Sequence, residues 1–194
     1  MTKLNSLRRD QTAASALEFA LVLPILLMFM IGTIDVGRLM WTWNRAEKAT
    51  QVGARVAVVT DMVPATLASQ NFALNNAVSG GDPVPTTLFS DTVCDDTDCT
   101  NGWGYDADAF TEIVRRMQVI MPEITAANVE ITYQNVGLGY AGDPFGPDVA
   151  PLVTVRLRDI NFDPLSLYIF GVTIPLSNVS SSLTAEDSSG TRSN

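Results

Sequence analysis

Residues 17–34 read LEFALVLPILLMFMIGTI, the longest apolar run in the chain, and carry one charge, Glu18, near their start. The uncharged part, residues 19–34, is sixteen residues long. As a helix it covers about 24 Å at ~1.5 Å per residue, short of the ~30 Å hydrocarbon core of a bilayer. Extension through Thr12, Ala13, Ala14, Ser15, Ala16 and Leu17 supplies the missing length, but only by drawing Glu18 toward lipid. An acidic side chain costs about 2.5–3.5 kcal/mol at mid-membrane and less near an end. Glu18 therefore either reaches the headgroups or pairs with a positive charge that a partner supplies. Pro24 removes one helical hydrogen bond and should loosen or kink the helix. A cleaved secretory signal would carry a small-x-small site after the run. The segment that follows, Gly32-Thr33-Ile34-Asp35-Val36-Gly37-Arg38, is a poor one, and a retained membrane span is expected.

Working outward, the tail before the run carries Lys3, Arg8 and Arg9, and the segment after it carries Arg38, Arg45, Lys48 and Arg55. Counting Lys and Arg on the two sides leaves orientation undecided. The net charge is −9, and the whole excess lies beyond the run. An acidic domain of this kind repels nucleic acid. The chain has no histidine, no glycine-rich phosphate loop and no nucleophile with a base at hand, so no enzymatic activity is expected. Cys94 and Cys99 are the only cysteines. They are too few for a metal site, and form either one disulfide or two free thiols. The membrane run favours the disulfide, which persists in oxidising compartments such as the periplasm. No cofactor is expected.

The string Ala14-Ser15-Ala16-Leu17-Glu18-Phe19-Ala20-Leu21-Val22-Leu23-Pro24 resembles the opening of the TadE-like family, the pseudopilins of the tight-adherence (Tad/Flp) pilus system. The likeness continues through Gly32, Ile34-Asp35, Gly37-Arg38 and the small-rich Ala49 and Gly53-Ala54-Arg55. It covers residues 8–60. The resemblance implies a membrane-anchored structural component, a minor pseudopilin that primes or caps a filament. Its partners would be other pilins, the assembly machinery and a prepilin peptidase. The resemblance places the processing cut between Ala13 and Ala14, making Glu18 the fifth mature residue; the family usually has Gly where this chain has Ala13. The new ammonium of Ala14 would neutralise Glu18 of a neighbouring subunit. The assembly helix residues implied are Glu18, Phe19 and Pro24. The N-terminus would be cytoplasmic and the head periplasmic, anchored in the bacterial inner membrane and incorporated into an extracellular pilus.

Beyond the run, residues 36–60 have helical periodicity. Val36, Leu39, Met40, Trp43, Ala46, Ala54, Ala57 and Val58 share one side, and Arg38, Arg45, Lys48 and Arg55 fall largely on the other. The small-residue face of Ala46, Ala49, Gly53 and Ala57 is expected to pack on the chain's own domain. Asp35, Trp41 and Trp43 suit a membrane interface, with helix packing an equal reading for Trp43. Residues 65–78 read as a second helix ended by Gly80-Gly81-Asp82-Pro83. A long acidic loop is expected over 80–106. Its Asp96-Thr97-Asp98-Cys99-Thr100-Asn101-Gly102 is similar to the start of an EF-hand loop, but the third ligand and the Gly are misplaced. A solvated loop is therefore the expectation, and no metal site is assigned. Residues 108–121 read as a helix capped by Asp106 or Asp108. Strands are expected at 129–135 (Val129, Ile131, Tyr133 on one face) and 152–160 (Val153, Val155, Leu157 inward). Residues 163–171 are a short apolar turn, helix or loop, and 172–185 supply one or two more strands.

The expected fold class is α+β. A long N-terminal transmembrane and stalk helix precedes a small pilin-like head with helices on an antiparallel sheet of about three strands. The expected divisions are a basic leader-like tail (1–13), the helix (14–60), the head (61–186) and a polar tail (187–194). The rival functional reading is a membrane-anchored periplasmic binding module whose acidic loop takes a cation or ligand, the helix being only a tether.

Overall fold

The computed structural model describes residues 11–74, 78–144, 147–176, 179–185 and 188. The basic tail up to residue 10, the side chain of Ala13, and the C-terminal tail apart from Ser188 lie outside the described residues. The chain forms two compact units. One comprises Met1–Trp41 with Phe162–Ile174, the other Thr42–Asn161 with Pro175–Asn194.

Helix α1 (Gln11–Ala57) is a single continuous element that runs through Pro24. Its apolar and small residues favour helix over most of its length. A Thr60 hydroxyl that bonds the Val56 carbonyl closes its C-terminal end. Over residues 42–57 it belongs to the larger unit, and there the small residues face the core: Ala46, Ala49, Gly53, Ala54 and Ala57 are buried. A Cβ placed on Gly53 would lie 2.7 Å from Met117 Sδ and 3.2 Å from Val155 Cγ1, so the helix packs here as closely as a glycine allows. The small-residue face thus packs on the chain's own domain, as expected. Two details of the expected stripe differ. Val36 and Met40 are exposed. Arg45, expected on the polar side, is half-buried, its Nε donating to the Ile120 carbonyl at 3.2 Å and its two terminal nitrogens to Glu123. An arginine stem packs on apolar surface while its head finds a carboxylate, which simple periodicity does not register.

The larger unit is built on a four-stranded antiparallel sheet, in the order β1 (Thr92–Cys94), β2 (Val129–Gln134), β3 (Leu152–Leu157), β6 (Val179–Thr184). The register pairs Val129 with Leu157, Ile131 with Val155 and Tyr133 with Val153, so six alternating side chains share one buried face. Helix α3 (Ala107–Ile120) buries Phe110, Ile113, Val114 and Met117. Its N-terminus is capped by Asp106, whose carboxylate accepts from the Asp108 and Ala109 amides. A second cluster gathers Leu67, Phe72, Val84, Phe89, Ala141 and Val149, with Trp103 edge-on to Phe89. The short strands β4 (Asn161–Phe162) and β5 (Ile174–Pro175) pair separately, and a 3-10 turn, Tyr168–Phe170, lies between them in sequence.

The architecture is α+β with one more strand in the main sheet than expected. The extra strand, β1, lies inside the segment read as an unstructured loop, which also contains a 3-10 turn at Thr100–Gly102. Three residues are too few to show a period. The helix expected over 65–78 is a single turn, α2 (Ala65–Ala68). Side chains capture the amides that a longer helix would use. Asn71 Oδ1 accepts from the Ala73 and Leu74 amides, and Asp148 accepts from the Phe72 amide at 2.6 Å.

Candidate membrane and assembly interface

Along residues 14–34 the side chains of α1 are nearly all exposed: Phe19 is 66%, Ile25 72% and Phe29 73% accessible. A core helix of this hydropathy would be covered by its own domain. Here the apolar stretch is left almost wholly uncovered by the rest of the chain. Length, composition and exposure together fit a membrane anchor. Ala14, Glu18 and Pro24 all lie on this helix and all are exposed. The missing amide of Pro24 leaves the Ala20 carbonyl without its usual donor. Thr33 satisfies its own hydroxyl at the Met30 carbonyl, 2.7 Å away. The backbone at Ala13 is helical.

Immediately after the apolar run, the same unit holds a polar clamp. Asp35 is 6% exposed, and its two carboxylate oxygens accept from the backbone amides of Leu165 (2.8 Å) and Ser166 (2.7 Å). Arg38, one turn on, donates to Asp35 Oδ1 at 3.1 Å and to the Asp163 carbonyl at 3.4 Å. Its guanidinium also lies over the Phe162 ring, 5.1 Å from the centroid. A carboxylate can be buried at this cost because it is paired and doubly hydrogen-bonded. The sequence places Asp35 at an interface but gives no sign of this clamp. Its two halves are about 130 residues apart, and no local periodicity connects them.

Cys94 and Cys99 form a disulfide, with Cα atoms 4.1 Å apart. Inside the bridge Asp95 organises the turn, accepting from the Thr97 hydroxyl (2.7 Å) and from the Thr97 and Asp98 amides. Those bonds from Thr97, with smaller help from Asp98 and Arg158, hold its pKa down at about 2. Its outer oxygen meets Arg158 at 3.5 Å. This carboxylate, the first of the acidic loop's central group, is thus engaged within the chain. Among the described residues no group of three or more Asp, Glu or Cys side chains gathers as metal ligands. A pocket of about 260 Å³ lies between β3 and Leu176, lined by Arg156, Arg158, Asp159 and Asn161 among others. Its two arginines are paired with Glu130 and Asp95, so their charge is already matched.

What this arrangement offers is an exposed apolar helix bearing one carboxylate, joined to a folded head. Residues 13–55 match the family model described as TadE-like protein. The match lies on α1, and it coincides with the stretch whose motifs carry the resemblance; the rest of the head lies outside it. The helix is therefore TadE-like, which supports a component associated with a Tad pilus. No curated protein and no solved structure gives a match.

Proposed function

We propose that the protein is a minor pseudopilin of a tight-adherence (type IVc) pilus, held in the bacterial inner membrane by residues 14–34 with its head in the periplasm. The observation that carries this reading is the coincidence of the TadE-like match with an apolar helix that the chain leaves uncovered and that bears Glu18. A carboxylate near lipid on an uncovered helix is stabilised by a partner cation, and packing against other pilins would supply one. Cutting between Ala13 and Ala14 by a prepilin peptidase provides it: the ammonium of Ala14 on one subunit faces Glu18 of the next. The head then primes or caps the filament, and no step of the reaction type performed by enzymes is required.

Glu18→Ala tests the reading directly. The variant should reach the membrane in normal amount and fail to support piliation or to co-purify with other pilins. Normal piliation in cells carrying only the variant would overturn it. Processing has a separate readout. Protein isolated from its own cells should begin at Ala14 on N-terminal sequencing, and a terminus at Met1 or Thr2 removes the peptidase from the account.

A further inference from the structure

Residues 164–176 contain no charged side chain, in a chain whose net charge is −9. Pro164, and Phe162 two residues before it, are buried. From Leu165 onward the surface is apolar and open: Leu165 is 56%, Tyr168 75% and Phe170 69% accessible, with Leu167, Val172 and Ile174 beside them in sequence. Gly171, at φ 62°, closes the 3-10 turn Tyr168–Phe170 in a left-handed conformation, so the segment is a compact knuckle and not an extended strap. A patch of this kind marks an interaction surface.

Its attachment identifies what it meets. The backbone of Leu165 and Ser166 is bonded to Asp35, the residue that follows the last apolar position of the run, Ile34. Arg38 grips the preceding Phe162 and Asp163 from one turn further along. The knuckle is therefore tied to α1 at the level where that helix leaves hydrocarbon. We propose that residues 165–174 are a second membrane contact, an apolar wedge that seats in the lipid interface beside the anchor, with the Asp35–Arg38 clamp setting its depth. This rests on the reading that residues 14–34 span the membrane. Leucine and phenylalanine enter the headgroup–acyl boundary, and tyrosine is enriched there. A neighbouring subunit could also cover apolar surface. Lipid is favoured because the clamp holds the patch where the bilayer already is, whether or not a partner is present. The wedge would fix the rotation of α1 about its axis, and so the direction in which Glu18 is presented.

The test uses the full chain in vesicles of phosphatidylethanolamine and phosphatidylglycerol. The chain's two cysteines are bonded to each other, so Tyr168→Cys creates one free thiol for an environment-sensitive NBD probe, with Phe170→Cys as a second position. At high dilution of protein in lipid, the emission of either probe should shift to the blue. It should be quenched by a phospholipid carrying its nitroxide high on the acyl chain, and be protected from iodide. Asp35→Ala should reduce the lipid quenching at both positions. A probe at Met28→Cys reports the anchor independently. Quenching by a deep nitroxide at Met28 with water-exposed probes at 168 and 170 overturns the wedge and leaves the span standing. Water exposure at Met28 removes the span, and the wedge with it. Protection from iodide that appears only when the chain is crowded, without lipid quenching, assigns the patch to a second copy and also overturns the proposal. Undiminished lipid quenching in Asp35→Ala overturns the part given to the clamp.

Discussion

Tyr133 shows how a single atom ties the chain together. It is fully buried at the end of β2, and its phenol oxygen accepts from the Val63 amide at 3.2 Å. Burial pushes the phenol's pKa up, so it stays neutral throughout the useful pH range. Val63 is itself fully buried, and no water can replace the lost acceptor without opening the core. Tyr133→Phe keeps the ring and its packing and removes only that oxygen. The expected cost is about 1–3 kcal/mol, the penalty for an unsatisfied buried amide. It should appear as a lower denaturant midpoint for the full chain in detergent micelles, with an unchanged slope. Equal midpoints would show that the amide finds another partner. Glu18 and Asp35 make the contrast at the same scale. Both are carboxylates close to the apolar run, but Asp35 has its donors within the chain and Glu18 is left open to solvent or to lipid.

The elements differ in how plainly the sequence announced them. Helix α1, helix α3 and strands β2 and β3 were legible because each is long enough to show a period, and Pro122 marks the end of α3; β3, expected to run to 160, ends at Leu157, before the turn at Asp159 (φ 56°), whose left-handed backbone no periodicity announces. Strand β1 and the single turn α2 were not, because their form depends on distant partners. β1 exists by pairing with β2, and the chain after α2 is bent by Asp148 from 76 residues away. The same reason hid the clamp around Asp35. The disulfide was readable as a pairing, but the turn inside it was not. That turn makes a pH prediction. Asp95 has a folded pKa of about 2, below its ordinary value, so its bonds stabilise the fold above the ordinary carboxylate range. The contribution is lost as pH falls through that range toward about 2. Wild type should therefore lose stability on acidification more steeply than Asp95→Asn, and the two melting curves should converge at the acid end. Parallel pH dependence would mean that the turn holds equally well with a neutral side chain. Exposure of this loop keeps the expected difference small, on the order of 1 kcal/mol or less.

For the molecule as a whole, the proposed orientation puts the larger unit in the periplasm. Basic residues flank the apolar run on both sides, so the usual charge bias is silent. The Cys94–Cys99 bridge supplies an independent handle, because thiols stay reduced in the cytoplasm and oxidised in the periplasm. The bridge closes a very short loop, and most of its geometry is already set by the antiparallel contact of the two cysteines and by the Asp95 turn. The redox state of the pair therefore reports the compartment in which the larger unit sits. The prediction is made for intact cells quenched with acid. A polyethylene-glycol maleimide should produce no gel shift before reduction and a shift of two additions after it, in wild type, in Glu18→Ala and in Asp35→Ala alike. Free thiols in freshly quenched wild type would place the larger unit in the cytoplasm and reverse the proposed orientation. Free thiols only in cells that lack periplasmic thiol oxidation would instead support the periplasmic assignment.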